Sequence, residues 1–284
     1  MALIYLILQI VFSCAFTLVI KWSQNRSRED IITIGAVNYI AAALLILPEF
    51  LQSDIEVAAP LAMWIGGSMG VCYFIAYFFV IYTIRHVGAT STTVVSVLSI
   101  TVPMACAAVF WDEVPNGYQL AGIGLALIAM LMVGGRSKGQ TVDRPWLTPV
   151  ILMTFFALCG VSRLAQESFK HVCETDQRPT FLLAAFVAAA VPSVLLLLFR
   201  KQKIQHAELI FGVGLGTANI LQLYFIIKSL QYLPGFIVFP FTSAGAVGLT
   251  TIVATQLLGE RLNRRTRIGT TIAVFALFLL RFWA

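Results

Sequence analysis

Ten stretches of this chain, each about 20 residues long and almost free of charge, follow one another with joints too short to hold a soluble domain. A helix rises about 1.5 Å per residue, so some 20 apolar residues cross the ~30 Å hydrocarbon core of a bilayer. The stretches are 2–21, 31–49, 60–84, 88–111, 117–135, 146–169, 179–199, 207–230, 234–258 and 266–283. Charge and turn residues separate them, as in Lys21 to Asp30, Pro48 to Pro60 and Arg136 to Pro145. Charged residues make up only 11% of the 284, where soluble proteins carry about 25% to coat themselves for water. Lipid is the solvent this composition requires. The chain therefore reads as an all-α integral membrane protein with ten transmembrane helices, multi-pass in the cell (inner or plasma) membrane. Soluble enzymes and nucleic-acid-binding modules are excluded, and the +6 net charge needs no acidic partner, because Lys and Arg gather in cytoplasmic loops. Met1-Ala2-Leu3 provides no basic start, so the first stretch reads as a retained helix rather than a cleaved signal.

Sliding the chain by 147 residues lays its second half on its first. Gly67, Tyr77, Phe78, Gly88, Ser96, Glu113 and Gly122 then meet Gly214, Tyr224, Phe225, Gly235, Ser243, Glu260 and Gly269. Five spans per repeat is an odd number, so the two halves enter the membrane in opposite senses. The expected organisation is two inverted five-helix repeats, 1–137 and 145–284. Such repeats characterise secondary transporters, whose substrate site lies near the midplane.

Trp111-Asp112-Glu113 followed by Gly122, and Gly259-Glu260-Arg261 followed by Gly269, resemble the two signatures of the drug/metabolite transporter superfamily, EamA-type branch. Lys21 and Lys170, each closing the first span of a half, are similar to a basic residue that this branch often has there. The resemblance covers the whole chain and implies alternating-access transport of small metabolites, amino acids or drugs. Orientation follows from the loops. Fourteen of the 19 Lys and Arg residues follow odd-numbered spans, and only Lys170, Arg178 and Arg281 follow even-numbered ones. The positive-inside rule then places both termini outside. The family's usual arrangement has them inside.

Polar groups within the spans are costly and face a bundle interior or a wet cavity. Gln9, Ser13 and Thr17 form one helical stripe, as do Thr92, Ser96 and Ser99, which lead to Pro103. The second-half counterpart runs from Phe239 through Ser243 to Thr250. Asn219 and Gln222 share a face of the eighth span, Asn38 stands alone on the second, and Tyr73 and Tyr77 lie one turn apart on the third. Hydroxyls at such positions ordinarily bond neighbouring helices, whereas the amides are the better cavity candidates. Arg163, Glu167 and Lys170 fall on one face of the sixth span. Arg163 reads either as half of an ion pair with Glu167 or as a cation for a carboxylate or phosphate, with Glu167 as its resting partner or a proton carrier. Lys228 is a second positive group near a span end. The candidate substrate residues are therefore Arg163, Glu167, Gln9, Asn38, Tyr77, Ser96, Asn219, Gln222, Lys228 and Ser243.

Glycine and proline supply the mechanics. Gly66/Gly70 and Gly212/Gly216 are GxxxG pairs that let helices approach closely, and Pro103 and Pro240 each remove a backbone hydrogen bond, which favours a kink. Gly66-Gly67-Ser68-Met69-Gly70 matches a hydrolase nucleophile pattern but lies inside an apolar helix, not on a strand-turn-helix elbow. The expected function is secondary active transport of a small polar metabolite, anionic or zwitterionic in preference to cationic. Proton-coupled efflux of a cationic drug or metabolite is the alternative, and a non-transporting structural membrane protein a third. No nucleophile–base pair, metal-ligand spacing or nucleotide loop stands in the sequence, so neither an enzyme nor a cofactor or metal is expected. The expected partners are a small-molecule substrate, the lipid bilayer and a coupling proton or ion, with no nucleic acid, in a monomer or homodimer.

Overall fold

The structure is a computed structural model and describes residues 2–24, 30–53, 60–86, 95–96, 98–133, 148–201 and 204–258, with the helical pairs 268–269, 271–272 and 275–276. Every regular element among the described residues is helical. In chain order they are α1 (Ala2–Gln24), α2 (Ile31–Gln52), α3 (Pro60–His86), α4 (Thr101–Phe110), α5 (Gly117–Val133), α6 (Thr148–Val172), α7 (Arg178–Arg200), α8 (His206–Leu230) and α9 (Gly235–Leu258). Among the described residues, six stretches are long and apolar enough to cross a membrane: Ala2–Ile20, Ile31–Gln52, Pro60–Thr83, Pro149–Val172, Thr175–Arg200 and His206–Leu230. They fall on the first, second, third, sixth, seventh and eighth expected spans. Helices α5 and α9 lie on the fifth and ninth. Thr92, Gly88, Glu260 and most of the tenth span lie outside the described residues.

The fourth span is not one straight helix. Its described residues turn at Ser99 and Ile100, and α4 begins only at Thr101. Pro103 is the physical reason. Lacking an N–H, it cannot bond the Ser99 carbonyl one turn back, and that oxygen takes the Val102 N–H instead at 3.2 Å. Proline thereby sits in the first turn of a new helix, where its missing donor costs nothing. At the other end Asp112 adopts a left-handed φ of 52°, and the Trp111 and Glu113 amides both donate to the Ala107 carbonyl. The first signature is thus a helix-ending turn. It leaves the Glu113 carboxylate to accept the Gly235 N–H, at 3.2 Å, where α9 begins.

The chain forms two compact units, each drawing on both halves of the sequence: Met1–Phe74 with Ala165–Gln231, and Ile75–Leu164 with Tyr232–Ala284. In the second unit α9 packs against α4 and α5. A Cβ on Gly160 of α6 would stand 2.7 Å from a Val102 methyl, so glycine is what lets α6 approach the start of α4.

In the first unit α2 packs on α7 and α8, and α1 packs on α8. Helices α2 and α7 run antiparallel, since ion pairs tie Asp30 to Arg200 (2.9 Å) and Glu49 to Arg178 at their opposite ends. Close packing is set by the four GxxxG glycines. A Cβ on Gly66 or Gly70 of α3 would overlap the carbonyl oxygens of Phe181 and Ala185 in α7. One on Gly216 of α8 would stand 2.6 Å from the Asn38 carbonyl oxygen and 2.8 Å from the Ala41 Cβ in α2, and one on Gly212 would overlap Val37 and reach the Ile34 carbonyl at 3.2 Å. Ile34, Asn38 and Ala41 are the 147-residue counterparts of Phe181, Ala185 and Ala188, and Ala188 is the residue whose methyl approaches Gly70. The same three register positions therefore receive a glycine-bearing helix in each half.

Candidate functional site

The first unit holds a seam of polar groups between helices that are otherwise apolar. Along α8, Glu208, Gly212, Gly216 and Asn219 recur at helical spacing, and all of them meet α2. The Glu208 carboxylate accepts the Asp30 N–H and the Gln205 N–H, both at 2.8 Å, so one buried side chain caps the start of α2 and the start of its own helix. Asp30 in turn accepts Thr33 Oγ1 and Arg200 Nη1, each at 2.9 Å. This end of the unit is fully tied.

Farther along the seam the amides meet. Asn219 Nδ2 donates to Asn38 Oδ1 at 3.1 Å, and Gln222 Nε2 donates to Asn219 Oδ1 at 3.2 Å. Asn38 and Asn219 are both buried. Helix α1 lays Tyr5 and Phe12 against Phe225, with ring centroids 6.2 and 5.7 Å apart and planes tilted by 21° and 9°. Gln9 lies between those two rings on the same face of α1. Its side chain is buried and its Oε1 has no hydrogen-bond partner among the described residues. Gln166 in α6 repeats the pattern: Nε2 donates to Tyr73 Oη at 3.1 Å, while its buried Oε1 has no partner. A buried amide oxygen without a donor costs about 1–3 kcal/mol. Each such oxygen gains when a polar group or water arrives, the Gln9 one on the face of α1 that meets α8 and the Gln166 one beside Tyr73 of α3.

The far end of the unit carries charge. Arg178, the first residue of α7, donates from Nη2 to the Glu49 carboxylate, and its guanidinium carbon lies 4.5 Å from the centroid of the Tyr224 ring. Lys228, in the last turn of α8, lies in the electrostatic field of both Arg178 and Glu49. At the close of α6, Glu167 is fully buried and its Oε1 meets Lys170 Nζ at 3.5 Å and His171 Nε2 at 3.2 Å.

Of the residues singled out in the sequence, Asn38, Asn219 and Gln222 are joined in one chain and Gln9 faces the same helix. Lys228 lies with Arg178 and Glu49, and Glu167 with Lys170 and His171. Arg163, Ser96, Tyr77 and Ser243 belong to the second unit. There Arg163 Nη1 donates to the Ser96 carbonyl and to Ser99 Oγ, at the break in the fourth span. Within lipid every backbone carbonyl must find a donor inside the protein, and Arg163 supplies one where the helix is interrupted. Arg163→Ala is accordingly expected to lower the melting temperature in detergent as well as solute flux, with Arg163→Lys restoring part of both. A variant with unchanged melting temperature would show that the guanidinium does not hold the break. Tyr77 stacks edge-on with Phe78 (6.4 Å, 83°), and Ser243 is half-buried on α9. Sequence reasoning did not single out Arg178, Glu49 or Gln166. The first two stand at span ends and read as loop charges, and Gln166 is overshadowed by its charged neighbours on α6.

A curated protein of Haemophilus influenzae, itself described as uncharacterized, is 23% identical over 290 residues, covering 97% of this chain and 96% of that one. Among solved structures, the crystal structure of one protein matches with a TM-score of 0.79 at 16% identity, covering 100% of this chain and 97% of the other, a likeness of fold. Residues 1–135 match the EamA-like transporter family. Together with the apolar helices, that match supports a multi-pass membrane protein whose residues 1–135 are similar to the EamA-like transporter family, consistent with the drug/metabolite transporter superfamily.

Proposed function

We propose that the chain is a secondary active transporter that moves a small polar metabolite, anionic or zwitterionic, across the cell (inner or plasma) membrane by alternating access. Its ten helices form two inverted repeats, 1–137 and 145–284, with the odd-numbered loops in the cytoplasm. The observation that carries this reading is the buried amide chain Asn38–Asn219–Gln222 beside the partnerless Oε1 of Gln9. A protein that only fills the membrane gains nothing from leaving such an oxygen unsatisfied. The antiparallel α2–α7 pair, and the register-matched glycine contacts on both, support inverted halves. The preference for negative charge rests on Arg178 and Lys228. A gradient of protons, ions or exchanged substrate drives the movement.

The test is exchange in proteoliposomes against a panel of amino acids, organic acids, sugars and quaternary ammonium dyes. At least one amino or organic acid is expected to exchange, and Asn219→Leu is expected to reduce its flux at least about tenfold, since it strands both Asn38 Oδ1 and Gln222 Nε2. Exchange of the dyes and of no acid would overturn the proposal in favour of proton-coupled cation efflux. The buried Glu167 carboxylate favours that second reading.

A further inference from the structure

The geometry points to a carboxylate-binding station at the Arg178 end of the first unit, in which Glu49 occupies the place taken by the carboxylate of a small metabolite. The inference rests on the transporter reading above and gives it a specific point of recognition.

Four observations converge. Arg178 is only 8% exposed although it opens a helix, and its Nε is buried with no hydrogen-bond partner. A guanidinium grips a carboxylate best with two parallel N–H groups, and here only Nη2 is engaged. The Tyr224 ring beneath it fixes the guanidinium plane and favours its charge. Glu49 is held differently from its partner: its side chain is 38% exposed against 10% for Arg178, so it can swing toward solvent without any backbone change. Finally, Lys228 places a second cation in the same field with no ion-pair partner among the described residues. Two cations thus stand against one carboxylate, which pairs with Arg178 alone, and a surplus positive charge in a low-dielectric site draws an anion. An incoming carboxylate engages Nε and Nη2 of Arg178 and is approached by Lys228, while Glu49 is released. In the absence of ligand Glu49 returns, which keeps the arginine from standing unpaired.

The experiment is thermal unfolding of the detergent-purified full chain with matched probes, succinate against succinamide and L-leucine against L-leucinamide. At least one carboxylate is expected to raise the melting temperature where its neutral or cationic amide does not. Glu49→Gln is expected to tighten the apparent Kd for that carboxylate about fivefold or more by removing the resident competitor. Arg178→Gln made together with Glu49→Gln leaves neither charge stranded and is expected to weaken binding at least about tenfold, with Lys228→Gln weakening it less. Binding that survives the double replacement, or that Glu49→Gln weakens, overturns the station and makes the pair a structural latch. So does a panel in which no carboxylate shifts the unfolding. Flux of the same variants in proteoliposomes separates the two ideas. Carboxylate binding without flux in the wild type would sink the carrier reading and leave the station, whereas flux untouched by the double replacement would do the reverse.

Discussion

Gly70→Ala is expected to remove most of the folded protein from the membrane. The added methyl would overlap the Ala185 carbonyl oxygen and stand 2.9 Å from the Ala188 Cβ, and neither backbone can yield without separating α3 from α7. Overpacking a close contact costs roughly 1–3 kcal/mol where side chains can repack. Here backbone meets backbone, so the upper end or beyond is expected, against a total stability of about 5–15 kcal/mol for typical proteins. Gly216→Ala in α8 should behave similarly, because its Cβ meets the Asn38 carbonyl and the Ala41 methyl. The control lies within the same helices. Among the described residues, no atom beyond its chain neighbours and its own helix backbone lies within 4 Å of a Cβ added at Gly67 or Gly214, so alanine there should be neutral or slightly stabilising through helix propensity. Fluorescence-detected size exclusion with a thermal ramp reads all four. Equal losses at Gly67 and Gly70 would refute the packing seam.

The second large effect is expected at Glu208. Its two carboxylate oxygens hold the Asp30 amide that precedes α2 and the Gln205 amide that precedes α8, with the residue 1% exposed. Hydrogen bonds to charged groups are worth about 1.5–3 kcal/mol each, so Glu208→Ala should cost on the order of 3 kcal/mol or more. Glu208→Gln keeps one acceptor and turns a donor toward the other amide, so it should recover only part of the loss. Hydrogen exchange localises the damage: the Asp30 and Gln205 amides should exchange faster in Glu208→Ala, while Arg178 and its neighbours at the other end of α7 stay protected. Uniform acceleration through the unit would show that Glu208 acts on global stability and not as a shared cap.

Helix positions were readable because lipid leaves so few options. Six of the expected stretches fall on helices that can cross a membrane, and the GxxxG pairs do meet neighbouring helices closely, although which helices they meet could not be read from the sequence. The amides also carried their signal, since Asn38, Asn219 and Gln222 stood out as polar groups in apolar helices. What the chain order conceals is pairing across long separations. Arg178 and Glu49 lie 129 residues apart and each resembles an ordinary loop charge until α2 and α7 are set side by side. Pro103 was legible as a break, but not that the turn would come at Ser99 and Ile100 with Arg163 donating to the Ser96 carbonyl and Ser99 Oγ beside it. Gln166 was missed because a lone glutamine beside Arg163 and Glu167 is the weakest polar signal on its helix.

The way α8 rests on α2 has a bearing on how such proteins diversify. Gly216 touches Asn38 through its carbonyl oxygen, just as Gly70 touches Ala185 through the same backbone atom. Nothing in that contact depends on which side chain the receiving residue bears, so asparagine in one half and alanine in the other are mechanically equivalent. The groups at these two positions can therefore be exchanged while the joinery stays unchanged, which leaves room for the scaffold to vary what it presents there one substitution at a time.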